Sequence, residues 1–212
     1  MRKKFGKAYR VAWRRRREGK TDYYARYRML LSKKLRAVVR KSLRHIVVQF
    51  VKAEILGDRT LSYTKSTELR KYGWKYNCGN VPAAYLTGFL AGLKARKANI
   101  REAILDIGPQ RSTYGGRLYA ALKGLIDAGI EIPHNEKIFP SPERILGKHI
   151  EKYAQMLKDQ SDRYKIQFGD YLKRNADPEK ISQNFIEVIK KIAKEYNSEI
   201  PTWLEEVEKH GD

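Results

Sequence analysis

Apolar and polar positions alternate along this chain with periods that change several times. Residues 1–20 show no period, and Gly6 and Gly19 loosen them further. They predict an arm that orders on a partner. Tyr23, Tyr27, Leu30 and Leu31 then stand at i, i+4, i+7 and i+8, one face of a helix that Thr21 or Asp22 can cap. From Leu35 the period shortens to two. LRAVVRK (35–41), HIVVQFVKAEIL (45–56) and RTLSYTKS (59–66), with a short connection at 42–44 and a turn at Gly57-Asp58, predict an antiparallel meander.

The period then returns to that of a helix. Asn80-Val81-Pro82 is a helix start, and Leu86, Phe89, Leu90 and Leu93 follow at helical spacing over 82–97. Ala84, Gly88 and Gly92, four apart, leave one stripe nearly bare, which predicts close packing on a sheet. AILDI (103–107) reads as a buried strand, and 117–128 as a helix closed by Gly129. Beyond residue 140, Ser141-Pro142-Glu143, Asp177-Pro178-Glu179 and Pro201 each open a helix, and Ile181, Phe185, Ile189 and Ile192 share an apolar face. The expected organisation is an arm (1–20), an α/β domain (21–140) and a helical extension (141–212).

Charge changes this picture because it is unevenly placed. The 212 residues carry 45 Lys/Arg against 24 Asp/Glu, a formal +21. Residues 1–52 hold 19 Lys/Arg and 2 Asp/Glu, a net +17, whereas 141–212 hold 13 and 14. A polyanion is the expected partner, since each neutralised phosphate releases condensed counterions. Anionic membrane is the rival. It would need a wide apolar helix face near the arm, where 22–32 offers tyrosines and arginines. The longest apolar run, Val81–Leu93, is too short to span a bilayer, and no signal-peptide pattern opens the chain, so an intracellular soluble protein is expected. One cysteine, Cys78, and four scattered histidines show no ligand spacing, and no metal or cofactor is expected.

The candidate contacts are basic residues with aromatics beside them. Read alone, Arg14–Arg17 is as well explained by a solvated charge run as by a functional contact, and an import-type signal is a further reading. Within the +17 segment, next to Tyr9 and Trp13, it reads as a nucleic-acid contact, because aromatic rings stack on bases. Tyr23 sits at a helix start, where backbone N–H groups favour phosphate. Arg40, Lys41 and Arg44 cluster at one hairpin end, where edge-strand protection is the plainer reading. Lys71, Trp74 and Lys75 lie near Tyr72 and Tyr76; Trp74 is either half-core or a stacking platform. Arg111 and Arg117 bracket STYGG (112–116), which lacks the Gly-Lys-Ser/Thr of a P-loop. A nuclease would need converging carboxylates, and the core strands offer only Asp106 and Glu54, so no enzyme is expected.

Several stretches together resemble a known family. RRREGKTDYYARYRMLLSKKLRAVVRKS, GDRTL, KYGWK, GNVPAAYLTGFLAGLKA, AILDIG and AALKGLIDAGIEIPH, in order over about residues 10–150, look like the 5S rRNA-binding protein of the large ribosomal subunit. This is number eighteen of the universal series, in its archaeal/eukaryotic branch. The resemblance implies a three-layer α/β/α domain with a mixed sheet, of ribonuclease H-like architecture. It implies attachment of 5S rRNA to 23S rRNA in the central protuberance, beside neighbouring large-subunit proteins, with no catalysis and no small-molecule substrate. The positions it implies for rRNA contact are Arg10, Trp13, Arg14, Arg15, Arg16 and Arg17 in the arm. Lys20, Thr21, Tyr23 and Arg26 follow at the helix start, then Arg40, Lys41, Ser42 and Arg44 at the hairpin. Lys71, Trp74 and Lys75 fall in the Gly-Trp-Lys loop region, and Arg111 and Arg117 before the second helix. The Ser-Asn-Lys-His common at the hairpin of relatives is here Ser42-Leu43-Arg44-His45, and Asn77-Cys78 replaces a small Gly/Thr pair.

Overall fold

The structure, a computed structural model, describes residues 10–204. Tyr9, the arm before Arg10 and His210 lie outside the described residues. The elements run in chain order as a one-turn helix α1 (Arg14–Arg17), α2 (Tyr23–Leu31), strands β1 (Arg36–Lys41), β2 (Ile46–Glu54) and β3 (Gly57–Lys65), and a 3-10 helix over Ser66–Tyr72. Helix α3 (Val81–Lys97), strand β4 (Ile104–Asp106) and helix α4 (Arg117–Asp127) complete the α/β part. The extension holds α5 (Pro142–Leu146), α6 (Lys148–Leu157), α7 (Ser161–Leu172) and α8 (Ile181–Tyr196).

The sheet order is β3-β2-β1-β4, antiparallel through the meander and parallel between β1 and β4, so the sheet is mixed as expected. The meander turn sits two residues earlier than the Gly57-Asp58 pair suggests. Glu54 pairs with Gly57 around a fully exposed Ile55-Leu56 tip, and Asp58 lies within β3 opposite Ala53. Ala37, Val39, Val48 and Phe50 point from the sheet into the core beneath α3 and α4. The opposite parity, Arg36, Val38 and Arg40 with Gln49, lines a cleft of about 520 Å³ whose other wall is α2.

Local signals set the helix starts. Asp22, rather than Thr21, caps α2, its Oδ1 accepting from Tyr24 N and Ala25 N at 3.0 and 3.1 Å. Asn80 Oδ1 accepts from Ala83 N at 2.9 Å, and Asp177 Oδ1 from Glu179 N at 3.0 Å. The bare stripe of α3 does not face the sheet. It faces α4, the helix with which α3 makes its most extensive contact. A Cβ on Gly88 would press into the Ala121 carbonyl, and one on Gly124 would lie 2.7 Å from Phe89 N. The glycines let two backbones meet where side chains would hold them apart.

The extension docks on the same core. Ile181, Phe185, Val188, Ile189 and Ile192 are fully buried in the cluster that holds Tyr85, Leu86 and Phe89. Phe185 meets the Tyr85 ring at 5.7 Å between centroids. Near the end of the described chain, Trp203 Nε1 donates to Asp127 Oδ2 at 2.8 Å, the oxygen that also accepts from Tyr85 Oη at 2.6 Å. Lys123 Nζ, 2.9 Å from Asp127 Oδ1, completes the neutralisation of that carboxylate. Burial and Asp127 hold the Tyr85 phenol far above its usual range.

Candidate nucleic-acid interface

Arg14–Arg17 form a helical turn whose first carbonyl, that of Trp13, accepts from Arg16 N and Arg17 N at 3.0 Å each. All four side chains are exposed, as is Arg10. Glu18 bridges Arg14 Nε at 2.9 Å and Lys20 Nζ at 2.8 Å, and Lys20 first, then Arg14, hold its carboxyl below the usual range. Arg15 Nε donates to Thr21 Oγ1 at 2.9 Å, fastening the arm to the start of α2. Gly19, at φ +64°, makes the bend between α1 and α2.

The aromatics sit between the arginines. Trp13 meets Tyr23 edge to face at 4.4 Å between ring centroids, and the Arg16 guanidinium lies 5.2 Å from the Tyr24 centroid. No residue of α2 is buried. The face expected to be apolar, with Tyr27 and Leu31 about two-thirds exposed, stands open beside Trp13 instead of packing on the sheet. Arm and helix together form a groove lined by Arg10, Trp13, Arg16, Tyr24 and Tyr27.

Two arginines expected at this interface, Arg26 and Arg40, belong to an ion-pair network between residues far apart in sequence. Arg26 grips Asp58 with both Nη atoms, each at 2.7 Å. Asp58 Oδ2 also accepts from Arg36 Nη2 at 2.6 Å, and Arg36 Nη1 donates to Asp106 Oδ2 at 3.0 Å. Arg40 closes the chain on Asp106, through Nη2 to Oδ1 at 2.9 Å and through Nη1 to the backbone oxygen at 2.6 Å. Charges alternate from α2 across the sheet to β4. Arg36 and Asp106 are about 95% buried, and Arg26 is about two-thirds buried. Arg26 thereby ties α2 to β3. Among the described residues no group of three or more His, Cys, Asp and Glu converges as metal ligands would.

The hairpin residues form a second group. Arg117 Nη1 donates to Gly79 O at 2.7 Å and to Ser42 O at 3.2 Å, clamping the hairpin tip to the loop before α3. Gln110 exchanges two hydrogen bonds with the Lys41 backbone, at 3.2 and 2.9 Å, which brings the Arg111 loop to the same end of the sheet. Arg44 and Arg111 are exposed.

Trp74 is not the stacking platform that its loop position allows. It is 2% exposed, its ring 5.2 Å from Tyr76 and its indole N–H bonded to Asn77 O, so it is core and presents no stacking face. Lys71 and Lys75 beside it are exposed. No described helix is long and apolar enough to cross a membrane.

The profile of a family described as ribosomal large subunit proteins 60S L5 and 50S L18 matches residues 7–100 and 93–135. The chain is also 52% identical, over 185 residues, to "Large ribosomal subunit protein uL18" of Korarchaeum cryptofilum, covering 87% of this chain and 94% of that protein. This chain belongs to that family. It is a large-subunit ribosomal protein, a structural component of the ribonucleoprotein that carries out translation. The matched residues contain α1, α2, the whole sheet, α3 and α4, and so every candidate contact named above.

Proposed function

We propose that this ribosomal protein binds 5S rRNA and attaches it to 23S rRNA in the central protuberance, beside neighbouring large-subunit proteins. Residues 1–20 act as the binding arm, 21–140 as the domain that carries it, and 141–212 as a helical extension whose described residues pack on that domain. The observation that carries the reading is the open basic-aromatic surface of arm and α2. Arg10 and Arg14–Arg17 are exposed there with Trp13, and Glu18 is the carboxylate paired with them among the described residues. Such a surface supplies phosphate neutralisation and stacking on unpaired bases together. Lys41, Ser42, Arg44, Arg111 and Arg117 at the hairpin end, and Lys71 and Lys75, add further phosphate contacts.

Binding of the purified chain to 5S rRNA, measured against salt, tests this. Affinity should fall by about 0.7–0.9 log units per log unit of salt for each phosphate contact, and deletion of 1–17 should flatten the slope. A chain that binds 5S rRNA no better than an unrelated RNA of equal length sinks the reading.

A further inference from the structure

A second basic concavity lies at the hairpin end, and it exists only because the extension is folded onto the domain. Three segments wall a cleft of about 380 Å³: the hairpin tip at Leu43–His45, the loop Asn77–Asn80 that leads into α3, and the end of α7 at Asp170 and Tyr171, with Arg174 just beyond. Arg70 of the 3-10 helix completes the lining. Arg44, Arg70 and Arg174 therefore line one cleft from parts of the chain up to 130 residues apart.

Among the described residues no carboxylate pairs with these three charges. All three residues are exposed, although Asp170 also lines the cleft. Arg174 Nη1 donates to Asn77 Oδ1 at 3.3 Å, a contact that leaves its other donors available. His45 Nδ1 is buried at the cleft without a hydrogen-bond partner. The 17-residue helix α3 opens at Asn80, so its positive end adds to the same field. Arg117, bonded to both Ser42 O and Gly79 O, holds two of the walls together. The site is thus concave, positively charged, braced from beneath and supplied with planar donor forks, which match the tetrahedral oxygens of phosphate.

We propose that this cleft seats a backbone phosphate of rRNA, held by Arg44, Arg70 and Arg174. The proposal rests on the rRNA-binding reading above and adds to it an element from the extension. That extension has 13 Lys/Arg against 14 Asp/Glu and by charge alone gives no sign of touching RNA.

The test is the salt dependence of binding for the full chain with 5S rRNA, 23S rRNA and an unrelated RNA of equal length to 5S. The R70Q/R174Q variant should lower the log–log slope by about 0.7–0.9 and weaken binding roughly tenfold on at least one rRNA. Its thermal midpoint should match the parent, because both side chains are exposed. R44Q, at the hairpin tip, repeats the measurement away from α7. Parental slopes and affinities for both variants on all three RNAs overturn the proposal and leave an acidic protein segment as the occupant. Loss of preference for 5S rRNA in the parent itself would instead overturn the functional reading. The slope comparison between parent and variant still reads out the cleft in that case, because a backbone contact is independent of sequence.

Discussion

Arg36 Nη1 donates to Asp106 Oδ2 at 3.0 Å, joining two parallel strands through a pair that is about 95% buried. A charge on a strand face is usually solvated. Here α2 and Asp58 on one side and Arg40 on the other enclose it. Both carboxylate oxygens of Asp106 accept hydrogen bonds, Oδ1 from Gly108 N at 2.9 Å as well as from Arg40.

Removing one partner of a buried pair leaves the other charge uncompensated, which typically costs about 3–5 kcal/mol. Asp106→Ala should therefore lose about that much in denaturant unfolding. Arg36→Met combined with Asp106→Leu should recover a large part of it. Additive losses in the double variant would show that the pair is not coupled.

Asp58 gives the fold an acid-sensitive joint. Hydrogen bonding by Arg26, then by Arg36, lowers its carboxyl from 3.8 to about 2. The folded value lies below the unfolded one, so the stabilisation is full above pH 3.8 and is lost as pH falls through 2. Its size is at most about 2.5 kcal/mol, less whatever solvent screens at this partly exposed carboxyl. Acid unfolding curves of the parent and of Asp58→Asn should converge below pH 2 and separate above pH 4. Parallel curves over that range would remove Asp58 from the account.

Helix α2 has no buried residue, and the Arg26–Asp58 fork is its bidentate tie to the sheet. Arg26→Ala should raise amide exchange across 23–31 while leaving exchange in β1, β2 and α3 at parental rates. A uniform rise everywhere would mean that α2 is integral to global stability.

Gly88 and Gly124 sit where α3 and α4 touch backbone to backbone. Gly88→Ala inserts a methyl against the Ala121 carbonyl, with no flexible side chain to yield. It should cost about 3 kcal/mol or more, read as a drop in the denaturation midpoint. Gly169→Ala, where nothing lies within 4 Å of the added carbon, is the matched control and should be neutral or mildly stabilising.

The chain has three tryptophans, and their exposure separates them. Trp13 is 66% exposed in the arm, whereas Trp74 is 2% exposed. RNA binding should quench Trp13 and leave Trp74 unchanged, as read from Trp13→Phe and Trp74→Phe variants. Quenching that survives Trp13→Phe would take the stacking role away from the arm.

Capping and period were readable because each depends on residues within one turn or a few strand positions. Asn80-Val81-Pro82 opens α3, Asp177-Pro178 opens a 3-10 turn into α8, and the alternation at 35–66 became the meander. The candidate site was readable where it is local, as Arg14–Arg17 and Trp13 are. It was not readable where partners are distant. Arg36 stands 22 residues from Asp58 and 70 from Asp106, and no short-range pattern announces either contact. Trp74 has a polar, aromatic neighbourhood in sequence that suits a loop. Its burial comes from Tyr76, which meets Tyr171 of α7 and donates to Asp177 O.

The amino-acid sequence by itself determined most elements of the α/β part, the places where α2, α3 and α4 begin, the concentration of positive charge near the N-terminus and the family, because propensity, capping and charge act over a few residues or sum without regard to geometry. Tertiary structure alone decided which surfaces meet. It set the bare stripe of α3 against α4 instead of the sheet, and left the tyrosine face of α2 open. It bound Arg26 and Arg40 into the fold, and gathered Arg44, Arg70 and Arg174 around one cleft. Those outcomes depend on which distant groups compete for the same buried space and the same carboxylates, a competition that exists only once the chain is folded.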